Sequence, residues 1–128
     1  MVAVPEYIAN NAQRALNNMD RKGGGVTDQT VREARLLARG QASENKITRM
    51  AAWFARHESD LESPRADAFL NGDGPMTAGQ WAWLAWGGDI SVNNRMRTMR
   101  WAERTRDQLN RSMPRLARWK HLLTQETR

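Results

Sequence analysis

Apolar residues recur at three- and four-residue steps along most of the chain, which is the spacing of one face of an amphipathic α-helix. A first helix is predicted from Pro5, a second after a cap at Thr27 or Asp28, and a third after Ser43, since these polar side chains can cap a helix N-terminus. Gly40 is the expected end of the second helix. Nowhere do β-branched residues alternate over five or more positions. The pattern therefore predicts an all-α fold.

A polar segment rich in Ser, Pro, Gly and Asp separates two groups of helices. It covers residues 59–76, and one short helix is predicted within it around residues 66–70. Thr77 then caps a helix that carries the run Trp81-Ala-Trp-Leu-Ala-Trp86. This run is apolar on every side, so we expect it to be buried on both faces. Gly87 and Gly88 are expected to end the helix.

The longest predicted helix starts at a cap on Asp89 or Ser91 and extends to about Met113. Its predicted core stripe comprises Val92, Met96, Met99, Ala102, Leu109 and Met113. Pro114 cannot lie inside a helix without a kink, so it is expected to begin a final helix. The overall prediction is a compact single-domain bundle of about five to six helices with a long basic C-terminal helix.

The charge of the chain is concentrated in its last third. At 128 residues the sequence fits one domain. Residues 1–90 hold ten Lys/Arg and eleven Asp/Glu, and we interpret them as a near-neutral helical module. Residues 91–128 hold ten Lys/Arg, nine of them Arg, and only three Asp/Glu. This asymmetry favours a polyanionic partner for the C-terminal segment.

Composition excludes several classes of function. The absence of Cys excludes disulfides, thiolate catalysis and Cys-ligated zinc, and it suits a reducing cytoplasm. No apolar run approaches the roughly 20 residues that a membrane span needs. The first residues contain neither a basic nor an apolar signal segment, so we expect no secretion. We predict a protein with no membrane partner.

The Arg residues of the last third are the candidate nucleic-acid-binding residues. Those on the long helix recur at steps of three, four and seven, so a continuous helix presents them on one side. The predicted set is Arg97, Arg100, Arg104, Arg111, Arg115 and Arg118. Such a row can lie along phosphates with little dependence on sequence. The alternative is a structural or interaction protein whose Arg face docks on an acidic protein without binding DNA.

Three of the six Trp residues fall within WAWLAWGGD, residues 81–89, and suggest a core, a docking surface or a base-stacking platform. Stacking platforms usually interleave aromatic residues with Arg or Lys, but this run contains no basic residue. We therefore interpret its tryptophans and two upstream aromatic residues as core or interface. The set is Trp53, Phe54, Trp81, Trp83 and Trp86.

One cluster, His57, Glu58 and Asp60, has the residue types of a catalytic or metal site. Adjacent residues on one helix do not give the geometry of a metal site, although His57 and Asp60 can share a face. We interpret the cluster as a polar network at a helix end. The sequence predicts no enzyme, no metal and no cofactor.

The two helices joined at Gly40 raise the question of a helix-turn-helix motif, whose second helix exposes its first residues to DNA bases. Here those residues are Glu44, Asn45, Lys46 and Arg49. An acid and an amide among them weaken that interpretation. A plain helical hairpin is favoured.

Several motifs in order resemble a small module of tailed-bacteriophage proteins. They read VPEYIANNA, GGG, TVREARLLARG, RMAAWFARHESD, WLAWGGD and WAER, between residues 4 and 104. In that module an ARHE-x-D segment accompanies a W-L-x-W-G-G-D segment, and the module occurs alone or beside phage head-structure and head-maturation proteins. Ser59 and Leu61 depart from the module, which often has Val and Lys there. The resemblance implies a phage setting, in the virion or the host cytoplasm, and implies no particular activity.

Overall fold

The computed structural model describes residues 1–112, and this part of the chain is a bundle of α-helices. Its helices are α1 (Glu6–Leu16), α2 (Asp28–Ala38), α3 (Glu44–His57), α4 (Pro64–Leu70), α5 (Ala78–Ala85) and α6 (Arg97–Ser112). Two 3-10 turns, Met19–Arg21 and Glu58–Leu61, lie between helices. The predicted all-α fold with a C-terminal helix is confirmed. The predicted helix from Pro114 lies outside the described residues.

The predicted helix starts at Thr27, Ser43 and Thr77 are confirmed by their hydrogen bonds. Each hydroxyl oxygen accepts the backbone N–H three residues later, at 3.3, 3.0 and 3.0 Å in chain order. Thr77 also forms a full capping box, because its own N–H donates to the Gln80 side chain. These contacts satisfy N–H groups that the first turn of a helix leaves free.

The structure adds one short antiparallel ladder that the sequence pattern did not predict. β1 (Val2–Ala3) pairs with β2 (Gln41–Ala42), with Val2 opposite Ala42. Two residues per strand are too few to show any alternation of apolar and polar positions. The ladder fastens the N-terminus to the turn between α2 and α3.

The core lies where α1 packs on α2 and α5 and where α3 packs on α6. The largest fully buried apolar side chains come from several elements and include Trp81, Trp83, Phe54, Ile8, Leu37, Ile47, Met50, Leu61, Leu84 and Ile90. The run at residues 81–86 is therefore enclosed on both faces, as its composition predicts. Only Ala82 in that run is more than slightly exposed.

The start predicted for the basic helix is wrong. The N–H of Ser91 does bond to the Asp89 carboxylate at 2.8 Å, but residues 91–96 form turns and α6 begins at Arg97. Val92, which is predicted on the core stripe, is 71% exposed. It lies in the turn before α6, so helical spacing does not direct its side chain toward the core. Ile90 is buried instead. Within α6, Ala102 is fully buried. Met96, Met99 and Leu109 pack partly against the core, and Met113 lies outside the described residues.

Candidate nucleic-acid interface

The Arg residues of α6 lie on the side of the helix opposite its buried face. At about 100° per residue, Arg97, Arg100, Arg104 and Arg111 fall within an arc of about 60°. Ala102 and Leu109 point roughly 160° away from the middle of that arc. All four Arg side chains are exposed, whereas Ala102 is fully buried. At 1.5 Å per residue the row is about 21 Å long.

Three members of this Arg row share a concave surface at the start of α6. Arg97, Arg100 and Arg104 line a cavity of about 430 Å³ together with the turn before the helix, which contributes Asn93 and Asn94. No acidic residue of the described chain lines it. The turn at residues 91–96, which shortens the predicted helix, is therefore what forms one wall of this cavity.

Arg97 is held in place by an aromatic ring of α1. Its guanidinium carbon lies 3.7 Å from the centre of the Tyr7 ring, a cation–π arrangement. Burial raises the pKa of the Tyr7 hydroxyl, and the positive charges of Arg97 and Arg104 partly offset that rise. Tyr7 therefore remains neutral at physiological pH, and it fixes the first guanidinium of the row.

The Arg row has no acidic partner in the described chain, unlike several other basic residues. Arg49 is paired with Glu33, and Arg106 bonds to Asp107 at 3.2 Å. Within residues 1–112, no carboxylate lies within 4.0 Å of Arg97, Arg100, Arg104 or Arg111. The positive charge on this face is thus uncompensated by the described part of the chain. Arg115 and Arg118, which the sequence also predicts for this site, lie outside the described residues.

The tryptophans of α5 are structural in their contacts. Trp81 and Trp83 are fully buried, and their indole N–H groups donate to the carbonyls of Ala15 at 2.8 Å and Asp89 at 2.9 Å. Phe54 is fully buried and meets Trp83 edge to face, at 4.7 Å between ring centres. Buried rings with satisfied N–H groups offer no platform for bases.

Trp53 and Trp86 form a stack that ends on a buried lysine. The two rings are nearly parallel, 4.7 Å apart, and Trp86 is 7% exposed while Trp53 is partly exposed. Lys46 Nζ lies 3.2 Å from the centre of the Trp86 ring and 3.4 Å from the Glu33 carboxylate. Glu33 also accepts from Arg49. These contacts join α2, α3 and the end of α5.

The burial of Lys46 and the ion pair of Arg49 argue against a recognition helix in α3. Lys46 is 2% exposed and Arg49 is held by Glu33, so neither is free to reach a base edge. Burial lowers the pKa of Lys46 to about 7. The negative charge of Glu33 opposes this shift, and the positive charge of Arg49 adds to it. Burial alone would raise the pKa of Glu33, but its contacts with Arg49 and Lys46 outweigh burial and lower it.

Sequence reasoning missed the role of Lys46. It was counted among the residues that a recognition helix would expose, and no local pattern distinguishes it from a surface lysine. Its ion-pair partner Glu33 is 13 positions away on another helix. The one available signal is that Lys46 lies one position before Ile47 on the apolar stripe of α3.

His57 and Asp60 meet as the sequence allowed. His57 Nδ1 and Asp60 Oδ2 are 2.9 Å apart, and the imidazole stacks on Trp53 at 4.5 Å. His57 is the last residue of α3, and Asp60 lies in the following 3-10 turn. Within residues 1–112, no group of three His, Asp or Glu side chains is arranged to hold a metal ion.

Comparisons with protein-family models, with curated proteins and with solved structures each give no match. Among the helices of residues 1–112, none combines the length and the apolar character needed to cross a membrane.

Proposed function

We propose that this is a small basic helical protein that binds nucleic acid, and DNA in particular, through the Arg face of α6. The observation that carries the proposal is the row of exposed Arg97, Arg100, Arg104 and Arg111 without acidic partners in the described chain. Duplex DNA carries one negative charge per about 1.7 Å of its axis, so a row of about 21 Å meets several phosphates. Binding is expected to depend little on sequence.

The geometry supports phosphate contact better than base readout. Arg forms two parallel hydrogen bonds to a phosphate, and Arg97 is already oriented by the Tyr7 ring. No aromatic side chain is among the described residues that line the cavity beside the row. A face of this kind fixes position on the backbone and carries no sequence information. The resemblance in motifs supports a phage setting for this activity, in the virion or the host cytoplasm.

The test is the salt dependence of binding to a duplex of arbitrary sequence. The parent protein should bind at about 50 mM salt, and affinity should fall steeply as salt is raised. Replacing Arg100 and Arg104 together by Gln should weaken binding to every sequence and flatten the salt slope by about two units. Thermal stability should change little, because both side chains are exposed.

The matched control removes two positive charges elsewhere. Arg21 and Arg65 line a separate cavity between the first 3-10 turn, α4 and the start of α5. The variant with both replaced by Gln has the same net charge as the test variant. An equal loss of DNA affinity in both variants would show that only net charge matters. That result would contradict binding through the Arg face of α6. A parent protein that does not bind at low salt would contradict nucleic-acid binding itself. The interaction-protein alternative, with an acidic protein on the same face, would then replace it.

A further inference from the structure

Three motif segments with no role in the Arg face come together in a second cavity on the molecule. The Gly-rich loop before α2, the end of α3 and the start of α5 enclose a groove of about 340 Å³. Such a volume is at the lower end for small-molecule sites, so it fits one side chain or one small ligand. The lining residues are spread along the sequence from Gly23 to Trp86, so the groove forms only when the chain folds.

Close backbone approach keeps the walls of this groove together. A Cβ added to Gly79, at the start of α5, would lie 2.8 Å from the carbonyl oxygen of Asp60. A Cβ added to Gly23 would lie 3.1 Å from that of Ala78. Gly79 is needed for space, because a side chain there would push α5 away from the backbone of Asp60, and Gly23 packs tightly on α5. The groove is thus built into the packing of α5 against its neighbours.

The polar groups of the groove accept hydrogen bonds. Asp60 is an acceptor when ionised and holds His57 Nδ1 at 2.9 Å, which leaves the second carboxylate oxygen free of any partner in the described chain. Thr30 adds a hydroxyl, and Ala82 and the partly exposed Trp53 add apolar surface at the groove. The faces of the Trp53 and Trp86 rings are already covered by His57, by each other and by Lys46. A ligand that fits needs hydrogen-bond donors and a short apolar stem.

The charge around the groove favours a cation. The described residues that line it include one acid, Asp60, and neither Lys nor Arg. Residues 58–67, which contain that acid, hold four acids and one base in a chain whose net charge is +6. Guanidinium pairs with carboxylate in a planar, doubly hydrogen-bonded arrangement, which makes it the cation best suited to Asp60.

We infer that this groove binds the arginine side chain of a partner peptide, with Asp60 as the ion-pair partner and His57 orienting that carboxylate. The methylene stem of the arginine lies along Ala82 and the partly exposed edge of Trp53. The groove is separate from the Arg face of α6 and shares no described lining residue with the cavity there. The inference does not depend on nucleic-acid binding.

The test is a titration followed by the indole N–H signals in a ¹H–¹⁵N NMR spectrum, with a Trp53→Phe variant to assign the Trp53 signal. The probes are N-acetyl-Gly-Arg-Gly-amide and the same peptide with citrulline, which has the shape of arginine without its charge. The arginine peptide should shift the Trp53 signal saturably, and citrulline should bind roughly tenfold more weakly or not at all. Asp60→Asn should weaken arginine binding by a similar factor.

Glu62→Gln is the matched control, since it removes one negative charge two positions away from Asp60. The Glu62 side chain is exposed and lies outside the groove. It should bind the arginine peptide like the parent. Equal binding of citrulline, equal loss in Glu62→Gln, or no shift of the Trp53 signal at millimolar peptide would each overturn the inference. Asp60→Asn should still bind duplex DNA as the parent does. A failure of the groove proposal can therefore be distinguished from a failure of the Arg face proposal.

Discussion

Lys46 is an ammonium group that folding removes from water. It lies against the Trp86 ring and the Glu33 carboxylate, and both favour its charged form. Burial opposes them and is the larger effect, so the pKa of Lys46 falls to about 7. Glu33 retains a second cation, Arg49, whatever the charge of Lys46. Lys46 is therefore compatible with the folded state mainly in its neutral form.

Stability should consequently rise with pH above neutrality. Between pH 7 and the ordinary lysine pKa of about 10.4, the unfolded chain binds a proton at Lys46 that the folded protein has lost. The free energy of unfolding should increase across pH 7 to 9.5, by at most about 1.4 kcal/mol per pH unit. Urea unfolding at several pH values measures this increase.

Lys46→Met keeps an unbranched side chain that is one atom shorter and removes the titrating group. Its free energy of unfolding should lose this dependence on pH between 7 and 9.5, and at pH 7 it should match or exceed that of the parent, because no charge is then buried. A parent protein whose stability is flat in this range would show that Lys46 stays protonated in the folded state.

At the scale of elements, the turn after α5 decides how the bundle closes. Gly87 has φ +88°, a left-handed conformation that a residue with a side chain rarely adopts. Its carbonyl oxygen accepts from Asn11 of α1 at 3.0 Å and from Thr98 of α6 at 2.7 Å. One backbone group thus ties together α1, α5 and α6. The adjacent Gly88 lets the chain pass directly beneath the ring of Trp83.

Gly88→Ala should destabilise the protein through overpacking. The added Cβ would lie 2.5 Å from Trp83 Nε1 and 2.7 Å from Phe54 Cε1, and both rings are fully buried. Overpacking of this kind costs about 1–3 kcal/mol. Thermal or urea unfolding of the variant beside the parent gives the difference in stability.

Gly24→Ala is the control for that experiment. A Cβ at Gly24 meets nothing within 4 Å, and the same substitution there should leave stability unchanged within about 0.5 kcal/mol or raise it slightly. Equal effects at Gly24 and Gly88 would mean that backbone entropy, and not steric contact, accounts for the loss.

At the scale of the whole molecule, one apolar cluster connects α1, α2, α3 and α5, and α6 covers it through Ala102. Charge is distributed differently. The uncompensated Arg residues face away from the core on α6, and the acidic segment at residues 58–67 follows α3. The molecule thus presents a basic face and a groove with one carboxylate, Asp60, each proposed above to bind a partner of opposite charge.

A shared core predicts a single unfolding transition. Tryptophan fluorescence, which reports on the packing around α5, and far-ultraviolet circular dichroism, which reports on all helices, should give coincident urea curves. The slope of unfolding free energy with urea should be about 1–3 kcal/mol per molar. A circular dichroism transition that precedes the fluorescence change would show that some helices unfold before the core around α5.

The sequence by itself determined the helices, most of their starts and most of the residues that fill the core. Helix caps such as Thr27 and Thr77 act within four residues, and apolar spacing is a local property, so both can be read along the chain. Burial of the tryptophans in α5 follows in the same way, since a helix that is apolar all round has no side suited to water. The Arg row on one side of α6 likewise needs only helical geometry.

Only the tertiary structure decided where α6 begins, which charges are compensated and what surrounds His57. The turn at residues 91–96 leaves Val92 exposed although its spacing suited the core stripe. Lys46 is buried because Glu33 and Trp86, distant in sequence, close around it. The groove at Asp60 exists because Gly79 admits α5 so closely. Each of these depends on contacts between residues far apart in the chain, and local propensity and periodicity contain no information about such contacts.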